Sequence, residues 1–271
     1  MDNSELFHML DFPVEVTEAL EAYGKSRVLQ IPKDIKDNLF KRVCWEAAVV
    51  ELKELLGEDE YGYKILWELL HLVCKHTYEQ YQKKGISDEI FVATMKFCTR
   101  YLEEHYRNFG MYCFTMAWWF PRELAFLEFR VGELEYEFVL GAEREIHIHI
   151  PSDADLRKAS VVASIRAFYE FRSKYFAEWE EVRLVCDSWL LAPVLKEFLD
   201  ETSNILAFQD MFELDVINTE ATWFMSFVFP GHSEVTENLP ERTSLQRKMK
   251  AHLLEGKTVG VAKGHLKEIK E

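Results

Sequence analysis

The stretch LAFLEFRVGELEYEFVLGAEREIHIHIPSDADL, residues 124–156, decides the fold. Residues 124–131 and 134–140 alternate apolar with polar side chains around Gly132-Glu133, a pair of the kind that closes a tight hairpin. The run EIHIHI at 145–150 alternates just as cleanly. The spacing predicts a three-stranded antiparallel meander, with Phe129 opposite Tyr136 and Leu127 opposite Phe138 on an apolar face. If Ile146, Ile148 and Ile150 share that face, the other gathers Glu128, Arg130, Glu135, Glu137, His147 and His149. A register slip of one residue would bury both histidines instead. The plain alternative for the polar side is a solvated face, common on antiparallel sheets.

Upstream of the meander the apolar period is helical. Leu39, Phe40, Val43, Cys44, Ala47, Val50 and Leu55 predict one helix between Asp37 and a stop at Gly57. A second runs from about Tyr63 to Lys84 and ends at Gly85. A third opens at Ser87, an N-cap residue type, and runs to about Asn108. His71, Cys74 and His76 fall on the second helix, where only the first two share a face, so core packing explains them better than a metal. Downstream, Ser152 and Asp155 have the spacing of a capping box before a helix from Asp153 to about Tyr175. Strands follow at 182–186, 211–217 and 222–229, with a small helix near Pro193 and a helical or turn segment after Ser203-Asn204. The chain closes with a helix from about Thr243 to Leu254 and a strand from Thr258 to Leu266. The fold class is therefore α+β, with a helical region over 1–121 and a mixed, mainly antiparallel sheet flanked by helices over 122–271.

Composition bounds the function. The chain has 271 residues, 48% of them apolar and 14% aromatic, enough for one large core or two modest ones. No apolar run is long enough to span a membrane, and the start, MDNSELFHMLDF, lacks the basic and apolar regions of a signal peptide, so a cytoplasmic location is expected. The cysteines (Cys44, Cys74, Cys98, Cys113, Cys186) are odd in number and contain no C-x-x-C pair, which predicts free thiols. A net charge of −15 argues against nucleic acid as a partner. From Glu241 onward eight basic residues face four acidic ones, a local +4 that leaves −19 for the rest. An anionic ligand would meet least repulsion there, although a lysine-rich terminal helix and strand is the simpler reading.

Several stretches carry a family resemblance: FRVGELEYE (129–137), HIHIPSDADL (147–156), SWLLAPVL (188–195), SNILAFQDMF (203–212) and LPERTSLQRKM (239–249). They resemble bacterial acyltransferases that join an N-acyltransferase N-terminal domain to a GNAT-like C-terminal domain. The likeness runs from about Arg122 to the end, and the family's N-terminal domain extends to about residue 150. It implies a GNAT-like sheet domain and transfer of an acetyl or other acyl group from coenzyme A to a small amine or amino sugar. The partner implied is thus a small molecule; the oligomeric state is left open. GNAT enzymes present backbone N–H groups of a glycine-rich turn to the cofactor pyrophosphate at a helix N-terminus. Here that turn, Ile150 to Asp155, has no glycine, one proline and two aspartates. Other cofactor contacts are then Lys257 and Lys263, near Gly260 and Gly264, and Asn204, whose Asn204-Ile-Leu-Ala207 is similar to the N-x-x-A opening the cofactor-side helix.

Amine acylation needs a base for the ammonium proton. Glu137 with His149 or His147 can serve, since a carboxylate beside an imidazole orients the ring and raises its basicity. The same residues make a partial metal set, but lacking a third firm ligand no metal is expected. Ser188 follows Asp187 without a nucleophile elbow and reads as a turn cap. The alternative to an enzyme is a non-catalytic ligand-binding or protein-interaction member that keeps the fold.

Overall fold

The structure, a computed structural model, describes residues 1–269; Lys270 and Glu271 of the basic tail lie outside the described residues. The chain divides into two compact units, Met1–Val131 and Gly132–Glu271.

The first unit contains helices α1 (Asn3–Met9), α2 (Val14–Ser26), α3 (Lys33–Leu39), α4 (Trp45–Leu56), α5 (Tyr63–Leu72), α6 (Tyr78–Lys84), α7 (Asp88–Met95), α8 (Phe97–Phe109) and α9 (Pro121–Leu124), then strand β1 (Glu128–Val131). The single helix expected between Asp37 and Gly57 is instead α3, a 3-10 turn at Arg42–Cys44 and α4. That break turns Val43 out to solvent, 96% exposed, where an unbroken helix would have buried it. The expected stops hold, because Gly57 and Gly85 both take positive φ (67° and 70°), a conformation that costs glycine little. Between α5 and α6 the rod is continuous but carries a π-helical turn, Val73–Thr77. Leu66, Leu69, Val73, Tyr81 and Phe91 are fully buried in this unit.

The second unit is built on strands β2 (Leu134–Leu140), β3 (Arg144–His149), β4 (Leu184–Ser188), β5 (Phe212–Asn218) and β6 (Val261–Leu266), in the order β2-β3-β4-β6-β5. Among the described residues of this unit only β3 and β4 run parallel; the other neighbours are antiparallel, so the sheet is mixed and mainly antiparallel. A parallel pair needs a crossover, and α10 (Lys158–Tyr175) supplies it. It packs on the apolar face, where the Phe168 ring stacks on Tyr136 with centroids 3.8 Å apart and planes 3° from parallel. Phe138 extends the layer onto Phe176 and Trp179.

Helices α11 (Asn204–Gln209), α12 (Phe224–Val228) and α13 (Ser244–Leu254) complete the unit. Residues 222–229, expected as a strand, form α12 because Phe224, Met225, Val228 and Phe229 are the buried positions, and that spacing is helical. They join Leu195 and Met249 in one apolar cluster. Thr243 caps α13 in a capping box with Gln246. At the sheet edge, six of the seven residues of β5 are exposed, and a bulge interrupts its pairing between Leu214 and Val216. Among the described residues no helix is long and apolar enough to cross a membrane.

Candidate active site

The β2–β3 ladder sets Glu137 opposite His147 and Glu135 opposite His149, so both imidazoles share the face of the glutamates. Ile146 and Ile148, at 0% and 1% exposure, lie on the other face, and the slipped register is excluded. The polar face is not a solvated one. Glu137 is 1% exposed and Glu135 5%, while the two histidine side chains each retain 21%.

Each imidazole meets its own carboxylate. His149 Nε2 lies 3.0 Å from Glu137 Oε2, and His147 Nε2 lies 3.0 Å from Glu145 Oε2. The two ring centroids are 6.3 Å apart. Glu145 also accepts from Lys263 Nζ at 2.7 Å and Arg183 Nη2 at 2.8 Å, joining β3 to the residue before β4 and to β6. Burial alone would raise the Glu145 pKa, yet hydrogen bonds from Lys263, His147 and Arg183 together hold it down at about 2. His147 is pushed below the usual histidine value, first by desolvation, against the opposing pull of Glu145. It is therefore neutral at pH 7 and able to accept a proton. On β4, Asp187 pairs with Lys263 across the ladder, and desolvation raises its carboxyl although His147, Lys263 and His149 pull the other way.

The structure thus brings Glu137, His147, His149 and Lys263 onto one face of the second unit. It does not bring Asn204 or Lys257 there. Asn204 is exposed at the first turn of α11, whose N-cap is Ser203, and Lys257 is exposed and ion-paired with Glu255 at 2.6 Å. Sequence reasoning missed Glu145 and Arg183. Glu145 stands two residues before His147 and was readable from the same alternation. Arg183 and the role of Lys263 depend on non-local strand pairing.

The expected capping box at Ser152 and Asp155 does not form, because α10 starts later, at Lys158, with Arg157 at the cap. The Asp155 carboxylate still serves that end: it accepts from Arg157 N at 3.0 Å and Ser160 Oγ at 2.6 Å and pairs with the Arg157 guanidinium. These contacts, the Arg157 side-chain hydrogen bond first, pull Asp155 well below the usual carboxylate range. An anion would meet a carboxylate there. The parallel pairing of β3 with β4 is short. Their ladder covers two pairs, Ile146 with Leu184 and His147 with Val185, whereas β3 runs on to His149 and β4 to Ser188.

Residues 1–125 match the N-acyltransferase N-terminal domain and residues 127–266 the GNAT-like C-terminal domain. No curated protein matches the chain. Among solved structures it is similar to an acyltransferase in complex with decanoyl-CoA and teicoplanin, at 22% identity over 97% of this chain and 86% of that one, with a TM-score of 0.77. An acyltransferase mutant in complex with octanoyl-CoA is 21% identical over 98% and 87% of the two chains, with a TM-score of 0.76. The likeness extends over both units, and the chain belongs to the family that joins an N-acyltransferase N-terminal domain to a GNAT-like C-terminal domain.

Proposed function

We propose that this protein is a coenzyme A dependent N-acyltransferase that moves an acyl group from acyl-CoA to the amine of a small molecule or amino sugar. The observation that carries the reading is the His149–Glu137 pair, an imidazole backed at 3.0 Å by a carboxylate that is itself 1% exposed. His149 accepts the ammonium proton, and Glu137 orients the ring and balances the imidazolium that forms. His147, neutral and held by Glu145, is the second acceptor on the same face.

Acyl-CoA, when bound, supplies the activated thioester. The α10 N-terminus does not fit its diphosphate, since Asp155 occupies it. The short β3–β4 ladder fits better, because strand backbone beyond the last shared pair can hydrogen-bond the amides of an extended pantetheine arm. Asn204, Lys257 and Lys263 are the side chains proposed to contact the cofactor, Lys257 as an exposed cation suited to a phosphate.

Titration of the full chain with acetyl-CoA and longer acyl-CoAs, followed by thiol release against an amine panel, tests this. Saturable binding with turnover supports the proposal; no binding at millimolar cofactor ends it. The carboxylate at the α10 N-terminus favours a second reading, a non-catalytic binder, which predicts binding without acylation of any amine.

A further inference from the structure

The first unit contains a cavity of about 200 Å³ lined by Arg27, Lys36, Glu68, His71, Lys75 and His76, among others. Its one carboxylate, Glu68, is fully buried and already committed. Oε1 accepts from Tyr23 Oη at 3.0 Å and Arg27 Nε at 2.5 Å, and Oε2 accepts from Arg27 Nη2 at 2.9 Å. The remaining ionisable groups of the lining are basic. Neither the Lys36 nor the Lys75 ammonium has a carboxylate within ion-pair distance among the described residues, in a chain whose net charge is −15. The π-helical turn Val73–Thr77 carries Lys75 and His76, and such turns recur at functional sites. His71 is fixed by stacking on Trp67 and by the contact of Nδ1 with Asn3 Oδ1 at 3.1 Å. Its pKa is lowered first by desolvation and then by Arg27 and Lys75, with Lys36 adding to the same effect, as expected where the local potential is positive.

We infer that this cavity binds a small oxyanion, a phosphate or carboxylate group, held by Lys36 and Lys75 above the Arg27–Glu68 pair with the His71 and His76 rings at its wall. Lys36 and His76 also line an adjoining cavity of about 690 Å³ walled by Phe40, Leu124 and Phe126, which has room for an apolar remainder of the ligand. The assignment is independent of the acyl-transfer reading, because every residue named belongs to the first unit.

Calorimetric titration of the full chain at low ionic strength with inorganic phosphate, and separately with octanoate, tests it. The expected result is saturable binding of at least one, weakened about tenfold or more by K36Q/K75Q, as loss of a charge-assisted hydrogen bond requires. K25Q, a change at an exposed lysine outside the cavity, should leave the affinity unchanged. Preference for phosphate identifies a phosphate-bearing ligand, and preference for octanoate an apolar carboxylate. Lys75 is exposed and Lys36 half-buried, and an unchanged melting curve verifies that the variant is folded. No saturable heat with either probe at millimolar concentration, or equal affinity in wild type and K36Q/K75Q, overturns the assignment.

Discussion

Glu145 holds more of the polar face together than either histidine, because its two oxygens bond to His147, Arg183 and Lys263 at once. Its pKa is lowered from 4.5 to about 2 in the folded protein by these hydrogen bonds, so it contributes stability that is fully present above pH 4.5 and lost as pH falls through about 2. The folded pKa of His147 is also depressed, so its contribution is present above 6.5 and lost as pH falls through the lowered value. Melting temperature measured against pH should therefore drop in two stages on acidification, and E145Q should remove the lower one. For catalysis, H149A should lower kcat by about a hundredfold or more, with E137Q close behind, while acyl-CoA affinity is retained. Steady-state kinetics beside cofactor titration checks that split. The histidines and Glu137 were legible from alternation alone, since a period of two leaves only one register that buries Ile146 and Ile148. What alternation could not give was the burial of the glutamates, which depends on what covers the face.

At the scale of elements, α10 and the sheet are joined by aromatic stacking. Phe168 is 0% exposed, and F168A should destabilise the protein by about 3–5 kcal/mol in a denaturant titration. Gly132 has φ +67°, and a Cβ there would lie 3.0 Å from Ser164 Cα, on the helix that covers the sheet. G132A should cost about 1–3 kcal/mol by the same measurement, from left-handed strain plus the displaced Ser164. The first strand is shorter than the alternation over 124–131 implied, because Leu124 ends α9, Phe126 takes φ +61° and β1 begins only at Glu128. Strands β2 and β3 and the closing helix from about Thr243 followed from local pattern. Helix α12 did not, because TWFMSFVF is rich in residues that favour strands, and tertiary burial of Phe224, Met225 and Val228 overrode that preference. The start of α10 was misplaced for a related reason: Ser152 and Asp155 have the right spacing, yet Asp155 bonds forward to Arg157 and Ser160 rather than back to Ser152.

For the whole molecule, the α+β class and the division into a helical front and a mainly antiparallel sheet were legible because most long segments have one dominant period. The hub of Glu145, Arg183 and Lys263 was not, since it assembles three segments whose adjacency only the sheet order determines. That order also leaves β5 at the rim, with Val216 58% and Ile217 52% exposed. A bare rim of backbone donors and acceptors invites a second molecule to add its own strand. Glu213 and Asp215, which flank Leu214 on the same strand, discourage this, for two copies approaching rim to rim would bring their acids together. E213Q/D215N should accordingly raise the tendency to self-associate, visible as a concentration-dependent shift in sedimentation or light scattering. The negative charge of this chain, unhelpful for attracting an anionic donor, thus acts as its guard against sticking to itself.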